Sequence, residues 1–277
     1  MRTPETLKIR DAWDRIAVGY DKYVTPTNNW TLPKTALEMA GLKPGMRFLD
    51  LASGSGALSL PAARIGAEVV AVDLSPVMIR RLAERAKEEG LSNLKGRVMD
   101  GHALELKDNS FDLAGSQFGA MLFPDLPRAL RELVRVTIPG GRVFLVVYQH
   151  PRMVEFLGVF IGAIQHVVPG FTGPPMDPLP LPFQAADPEV LRQLMEEPGL
   201  RNVRIEPAVE RLPFSSGKEM WDWVTNSNPI AREMATGLDD EQRFRVHQIL
   251  DERIQERSGG HDTAILEAAV HIGIGTK

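Results

Sequence analysis

The run Arg47-Phe48-Leu49-Asp50-Leu51, followed at once by Ala52-Ser53-Gly54-Ser55-Gly56, constrains this chain more than any other stretch. An apolar segment of strand length closes on a glycine-rich turn and passes into an apolar helical pattern, Leu58 to Ile65. That is the opening of a β–α–β unit. The alternation repeats between residues 46 and 148. Glu68–Asp73 predicts a second strand. Ser75-Pro76 predicts a helix start, because Ser75 caps free amides and Pro76 has its φ pre-set for the first turn. Met78, Leu82 and Ala86 follow four-residue spacing as far as Gly90. Strands are expected at Arg97–Asp100, Phe111–Gly115 and Arg142–Tyr148, with a helix Leu126–Val136 between the last two. Alternation of this kind implies an α/β fold, a parallel sheet with helices on both faces.

The flanks read differently. Residues 1–40 carry two helical patterns with Trp13, Tyr20, Tyr23 and Trp30. Residues 150–185 hold seven prolines beside the apolar stretch Val154–Ile164. A helix is expected at Pro188–Glu197, a strand at Val203–Val209, helical patterns from Glu219 to Ile254, and a last strand at Ala268–Ile274. The expected organisation is a helical cap over 1–40 and a ligand-binding core over 41–150. A proline-rich lid insertion follows at 151–186. The C-terminal part of the sheet spans 187–277 and carries a helical insertion at 217–258.

Composition narrows the chemistry. The chain has no cysteine, so thiolate nucleophiles, disulfides and cysteine-ligated metal centres are excluded. With 32 Lys+Arg against 36 Asp+Glu it has a formal charge of -4 and lacks the basic face of a nucleic-acid binder. The leading residues contain no apolar core of signal-peptide length, and the longest apolar runs fall short of the ~20 residues of a membrane span. A cytoplasmic protein with no membrane partner is the expectation. His166, His247, His261 and His271 show no metal-ligand spacing, and no metal is expected.

The glycine loop suits several cofactors. Read as a dinucleotide fingerprint with Gly54 and Gly56 as the first pair, it has Ser59 where the third glycine belongs. A phosphate-cradling Walker loop needs a lysine that is absent. Asp50 at the strand end would oppose a pyrophosphate but suits a cationic ligand. Asp73, 23 residues further on, ends the second strand. Neighbouring parallel strands bring their carboxyl ends to one crevice. A carboxylate there accepts hydrogen bonds from both hydroxyls of a ribose, and Asp100 at the third strand end suits an exocyclic amine.

Several motifs together carry a resemblance. They are Trp13-Asp14-Arg15-Ile16-Ala17 with Tyr20-Asp21, Leu49 to Gly56, Val72-Asp73-Leu74-Ser75, Asp100 with Leu104, Asn109-Ser110-Phe111-Asp112, and Arg135 to Gly141. In this order and spacing, residues 10–148 resemble class I S-adenosylmethionine-dependent methyltransferases of the ubiquinone/menaquinone-biosynthesis (UbiE-like, type 11) group. The resemblance implies a Rossmann-like, seven-stranded, mostly parallel sheet, with S-adenosylmethionine as cofactor. By the same resemblance Gly54 and Gly56 let the backbone approach the cofactor, and Asp50 faces its amino-acid end. Asp73, with Leu74 and Met78 nearby, takes the ribose. Asp100 with the backbone of Gly101 and His102 takes the adenine, and Ser116 and Gln117 line the methionine portion. Tyr20 resembles the tyrosine that closes over the cofactor. Ala52 stands where the family often has glycine.

The acceptor is less legible. No cysteine excludes the usual pyrimidine C5 methylation, and Asp112 to Phe118 lacks the Pro-Pro motif of DNA amino-methyltransferases. A small molecule is expected. Phe118, Met121, Phe123, Tyr148, Phe183 and Trp223 point to an apolar or aromatic one. His150, after the fifth strand, is a candidate general base, with Tyr20 a second catalytic candidate. Trp221-Asp222-Trp223 with Asn226 and Asn228 reads equally as a substrate wall or as a helix docking aromatics on the sheet. The stretch Val154–Ile164, with Phe156 and Phe160, reads as a buried lid or dimer helix, so a homo-oligomer is compatible with the chain. A protein that uses the bound sulfonium without transferring its methyl is the alternative, and a nicotinamide-dependent oxidoreductase is disfavoured.

Overall fold

The computed structural model describes residues 4–25 and 31–277, so Trp30 lies outside the described residues. Seven strands form one sheet: β1 (Arg47–Leu51), β2 (Glu68–Asp73), β3 (Leu94–Val98), β4 (Phe111–Gln117), β5 (Thr137–Tyr148), β6 (Arg201–Phe214) and β7 (Ala264–Thr276). Their spatial order is β3-β2-β1-β4-β5-β7-β6. The first five run parallel, while β7 lies antiparallel between β5 and the edge strand β6. This is the Rossmann-like, mostly parallel sheet expected. Strand order reverses at β1, which pairs with β2 on one side and β4 on the other. Ligands of open α/β sheets bind outside the carboxyl ends at such a reversal. Asp50 stands there, in register with Ala71 and Gly115.

Ten helices are described: α1 (Pro4–Gly19), continuing into a π-helical turn Tyr20–Val24, α2 (Thr31–Ala40), α3 (Ser59–Ile65), α4 (Pro76–Glu88), α5 (Leu126–Val136), α6 (Glu155–Val167), α7 (Pro188–Glu196), α8 (Gly217–Ser227), α9 (Pro229–Thr236) and α10 (Asp240–Ser258). Most starts are chemically marked. Ser75 caps α4 by accepting the Met78 amide at 3.0 Å, with Pro76 in the first turn. Asp125, Asp187, Ser216, Asn228 and Asp239 cap α5 and α7–α10 in the same way. Each such cap stabilises its helix by about 1 kcal/mol. No helix among the described residues is long and apolar enough to cross a membrane.

One sheet face buries Leu37, Phe48, Leu82 and Phe144, and the other buries Leu49, Leu51, Leu130 and Leu145. A third apolar cluster joins α6, α8 and α10 to the far ends of β6 and β7 through Phe160, Phe214, Trp223 and Leu250. The helical insertions therefore have a core of their own, anchored on the sheet's antiparallel corner.

β5 begins at Thr137 rather than Arg142 and β4 continues to Gln117 rather than Gly115, and three other strands depart from expectation for identifiable reasons. β3 runs Leu94–Val98, not Arg97–Asp100, because Gly96 belongs inside it. A Cβ at Gly96 would lie 2.9 Å from Ile79 of α4, so the bare backbone lets the helix pack closely. Asp100 consequently sits two residues beyond the strand, in a turn closed by the Ala103 amide on its carbonyl. β6 reaches Phe214, five residues past the expected end at Val209, and carries Pro207 and Pro213. Proline is tolerated there because β6 is a sheet edge and has only β7 to satisfy. β7 lengthens with it, from Ala264 to Thr276.

The sheet centre is packed without slack. Phe48 and Phe144 stack with ring centroids 6.0 Å apart, and a Cβ at Gly115 would fall 2.2 Å from the Phe144 ring. Gly115→Ala is expected to destabilise the protein by about 1–3 kcal/mol through overpacking, measured by urea denaturation.

Candidate active site

At the carboxyl edge of the sheet the chain encloses a cavity of about 680 Å³. Its floor is built by two carboxylates and the glycine loop. The Ser53 amide donates to Val72 O at 3.0 Å, which ties the loop to β2. Asp73 then holds both ends of the crevice. One oxygen accepts the Gly54 amide at 2.9 Å and the other accepts the Ser75 amide at 2.8 Å. Burial raises the Asp73 pKa to about 6, although the amides of Ser75, Gly54 and Leu74 oppose the shift. Asp50 is fully buried and accepts a hydrogen bond from Ser59 Oγ. Burial raises its pKa to about 7 against that hydrogen bond, and Asp73 adds to the rise. Ser59 occupies the place of a third dinucleotide-loop glycine, and here its side chain serves a carboxylate instead.

Ala52 adopts the left-handed conformation, φ 56°, that glycine favours. Its methyl group is accommodated because a Cβ on Gly119 would lie 2.4 Å from it. Gly119 thus leaves room for the departure at Ala52.

Beyond β3, Asp100 Oδ1 accepts the His102 amide at 2.9 Å and lies 2.8 Å from His102 Nδ1. The amide expected to face an adenine is therefore engaged within the turn, which leaves the second Asp100 oxygen and the Gly101 amide. Gly101 is wedged tightly, since a Cβ there would meet Phe123 at 2.4 Å and Leu51 at 2.9 Å. His102 Nε2 and Gln117 Oε1 both belong to cavity-lining residues, and both are buried without a hydrogen-bond partner. Buried polar atoms are normally paired, and these two, unpaired among the described residues, are open to a polar ligand in the cavity.

The N-terminal cap closes the crevice. Asp14 accepts a hydrogen bond from Ser75 Oγ, Arg85 pairs with Asp21, and Thr25 Oγ1 meets Ser55 Oγ at 2.6 Å. These contacts lay Tyr20 over the loop, where a Cβ on Gly54 would sit 3.4 Å from its ring. Trp13 meets Tyr20 edge-on. Burial, then Asp73, Glu210 and Asp50, push the Tyr20 phenol well up, so it keeps its proton at neutral pH.

The opposite end is aromatic. Tyr148 stacks on Phe118 at 4.4 Å, with Phe156 and Phe183 about its other sides. Phe118 has φ 58°, a strained backbone for a bulky residue and of a kind that gathers at functional sites. Phe156 packs on Trp223 at 4.9 Å. Trp221 turns away onto Phe160 and His247, so the tryptophan pair divides between cavity and core.

Of the cofactor, acceptor and base candidates read from the sequence, all line this cavity except Gly56, Ser116 and His150; of the possible substrate wall, Trp223 and Asn228 line it and Trp221, Asp222 and Asn226 do not. Gly56 faces Leu60 and shapes the loop from behind. Ser116 is buried and accepts the Ala120 amide at 2.9 Å, which fixes the turn after β4. His150 is exposed, and its Nδ1 accepts the Arg152 amide at 3.2 Å as the cap of a short turn, so the structure does not support it as a general base. Among the lining residues not singled out from the sequence is one buried carboxylate. Glu210 is 3% exposed, and its carboxylate accepts a hydrogen bond from Tyr148 Oη at 3.3 Å. It sits on the part of β6 that sequence reasoning ended at Val209. Two prolines and an alternation weak enough to read as loop hid it.

Comparison with known proteins settles the family. A family model described as a methyltransferase domain matches residues 49–145. A 2-phytyl-1,4-naphtoquinone methyltransferase from Nostoc sp. is 34% identical over 165 residues, covering 54% of this chain and 69% of that protein. The chain belongs to the class I S-adenosylmethionine-dependent methyltransferases, in the UbiE-like group. An uncharacterized protein of Mycobacterium tuberculosis is 44% identical over 107 residues, 39% of each chain, so the chain spans well under half the length of that relative. The fold also matches Haemonchus contortus phosphoethanolamine N-methyltransferase 2, solved in complex with S-adenosyl-L-methionine. That match has a TM-score of 0.61 and 19% identity, covering 97% of this chain and 60% of the other.

The cofactor of this methyltransferase family fits the residues present. Two buried carboxylates without a cationic partner among the described residues suit its cationic amino-acid end and its ribose. The unpaired Gln117 and His102 atoms border the same space. The strain at Ala52 is local to the loop. Ala52→Gly is therefore expected to stabilise this methyltransferase by about 0.5–1 kcal/mol, net of the added freedom of the unfolded chain, a Tm rise of roughly 2 °C by differential scanning calorimetry.

Proposed function

We propose that this chain transfers the methyl group of S-adenosylmethionine to a small aromatic molecule by direct displacement. The observation that carries the reading is the joining of two unlike surfaces in one cavity, a carboxylate floor at Asp50 and Asp73 and an aromatic wall at Phe118, Tyr148 and Phe183. The Nostoc relative, named for a naphthoquinone ring, supports an aromatic acceptor.

In this reading Asp50 takes the amino-acid end, Asp73 the ribose and Asp100 the adenine amine, with Gly54 leaving room for close approach. Gln117 Oε1 supplies a further acceptor at the methionine portion. When bound, the cofactor supplies an electrophilic methyl group on a positively charged sulfur. The protein's task is then alignment and exclusion of water. Tyr20 and Trp13 close the cofactor side, and Phe156 and Trp223 close the acceptor side. The aromatic wall holds a flat ring by stacking.

The deciding experiment supplies trideuteromethyl-labelled S-adenosylmethionine with 1,4-dihydroxynaphthalene and its 2-alkyl derivatives, read by mass spectrometry. Gain of one labelled methyl by an acceptor supports the reading. Tight cofactor binding with no transfer to any of them would favour a non-methylating use of the sulfonium.

Binding should also depend on pH with a definite sign. Both carboxylates have raised pKa values in the free protein, about 7 for Asp50 and about 6 for Asp73, so they are partly protonated in mild acid. A ligand carrying an ammonium group favours their ionised forms. Affinity for S-adenosylhomocysteine is expected to rise as pH goes from about 5 to 8 and then level off. Asp50→Asn flattens that rise, and Asp73→Ala weakens binding by about 100-fold, both measured by isothermal titration calorimetry. For the free protein the sign reverses. Protons bound in the folded state above the ordinary carboxylate range make stability fall as pH rises through 4 to 7.

A further inference from the structure

The acceptor end of the cavity contains one carboxylate that the fold itself does not use. Asp50 is held by Ser59, Asp73 by two loop amides, and Glu132 by Arg135 and the Leu104 amide. Glu210 caps no helix, receives no backbone amide and pairs with no lysine, arginine or histidine among the described residues. Among the described residues its one hydrogen bond comes from Tyr148 Oη. A carboxylate taken out of water with so little compensation is costly, and nothing structural is gained from it. Its position is nonetheless specific, since it lines the cavity beside the stack of Tyr148 on Phe118.

We propose that Glu210, oriented by Tyr148, accepts the proton of a hydroxyl group on the aromatic methyl acceptor. The proposal rests on the aromatic-acceptor reading above and extends it to the class of hydroxylated aromatics. The acceptor's O–H bond breaks, the proton passes to a Glu210 oxygen, and the electron pair stays on the acceptor oxygen. Conjugation spreads that charge to the ring carbons ortho and para to it, so either oxygen or carbon becomes nucleophilic. Transfer to oxygen completes the reaction; transfer to carbon gives a ketone whose methylated ring carbon then loses its hydrogen as a proton while the oxygen regains one. Either way the acceptor gives up one proton net for the methyl cation it receives, and Glu210 releases its proton to solvent afterwards.

The surroundings suit a base working near neutrality. Burial raises the Glu210 pKa to about 7, and the Tyr148 hydroxyl holds it from rising further. Tyr148 and Tyr20, the titratable groups facing it from β5 and the cap, both have pKa values pushed far up and stay protonated. Ala268, opposite on β7, carries no charge, and Arg211, next along β6, points outward to Glu267. Tyr148 is a positioning residue in this scheme.

The test compares binding of 2-naphthol and 2-methoxynaphthalene to the full chain saturated with S-adenosylhomocysteine. The wild-type protein is expected to prefer the naphthol by about tenfold, one hydrogen bond to a charged group, with a preference that grows as pH rises through 7. Glu210→Gln should lose the pH dependence of that preference while its affinity for S-adenosylhomocysteine stays within about twofold. In methyl transfer to 1,4-dihydroxynaphthalene, Glu210→Gln is expected to lower kcat by about 100-fold or more and to remove the acid limb of the pH profile. Tyr148→Phe keeps the stacked ring and shifts that limb to higher pH. An unaltered preference and an unaltered acid limb in Glu210→Gln would overturn the assignment of Glu210 and leave the aromatic acceptor standing. Failure of wild-type protein to bind either naphthalene, with S-adenosylhomocysteine still bound, would overturn both.

Discussion

The two hydrogen bonds that Asp73 accepts, from the amides of Gly54 and Ser75, organise everything above the sheet. Gly54 belongs to the loop after β1 and Ser75 precedes α4 as its cap, so one side chain ties the two elements together. The loop's left-handed residues, Ala52, Gly54 and Gly56, have little intrinsic stability, and the anchor at Asp73 selects one of their conformations. Burial pushes the Asp73 pKa up while the same amides pull it down, so the carboxylate stays available as an anion near neutral pH. A residue that only capped α4 would not need to reach the glycine loop, and a residue that only bound a ligand would not need the amides. Asp73 has the geometry for both.

From that anchor the cap follows. Ser75, placed by Asp73, donates to Asp14 of α1, and Arg85 one turn before the end of α4 pairs with Asp21. The spacing of these contacts along α1 and its π-helical turn sets Tyr20 over Gly54. A wider turn at Tyr20–Val24 rotates the following residues, which brings Thr25 down to Ser55 in the loop. The cofactor-side lid is therefore held by polar contacts to the very elements that form the floor. The opposite roof of α6, α8 and α10 is held by apolar packing to β6 and β7.

The sheet was legible wherever local signals and burial agreed. β1 and α5 run over the residues expected, because a buried central strand and a capped amphipathic helix carry their information locally. Asp50 and Asp73 were legible for the same reason, as carboxylates in otherwise apolar strand ends. β3 was misplaced because Gly96 reads as a breaker, while its value lies in contact with Ile79, a residue of another element. β6 was cut short because Pro207 and Pro213 argue against a strand, and only the sheet order reveals that this strand lies at an edge. That single misreading concealed Glu210. His150 failed in the opposite direction. Its position just after β5 suggested the crevice, but the turn at Pro151–Met153 uses its ring as a cap and leaves it at the surface.

The buried carboxylates of the cavity differ in what holds them. A group that receives several hydrogen bonds from the fold is stabilised as an anion and resists taking up a proton, which suits lasting contact with a cation or a diol. A group with one weak donor and deep burial sits near the balance between its two protonation states, which suits a proton carrier at neutral pH. Asp73, with three amides and a pKa of about 6, leans to the first kind, and Glu210, with one phenol donor and a pKa of about 7, to the second; Asp50 also stands at about 7, with the hydroxyl and the amide of Ser59 as donors. Tyr20 feels Asp73, Asp50 and Glu210 together, and stands where the two halves of the cavity join. Its phenol stays protonated under their combined charge, so at the junction of an anionic floor and an aromatic wall the chain keeps a neutral hydrogen-bond donor rather than a fourth competing anion.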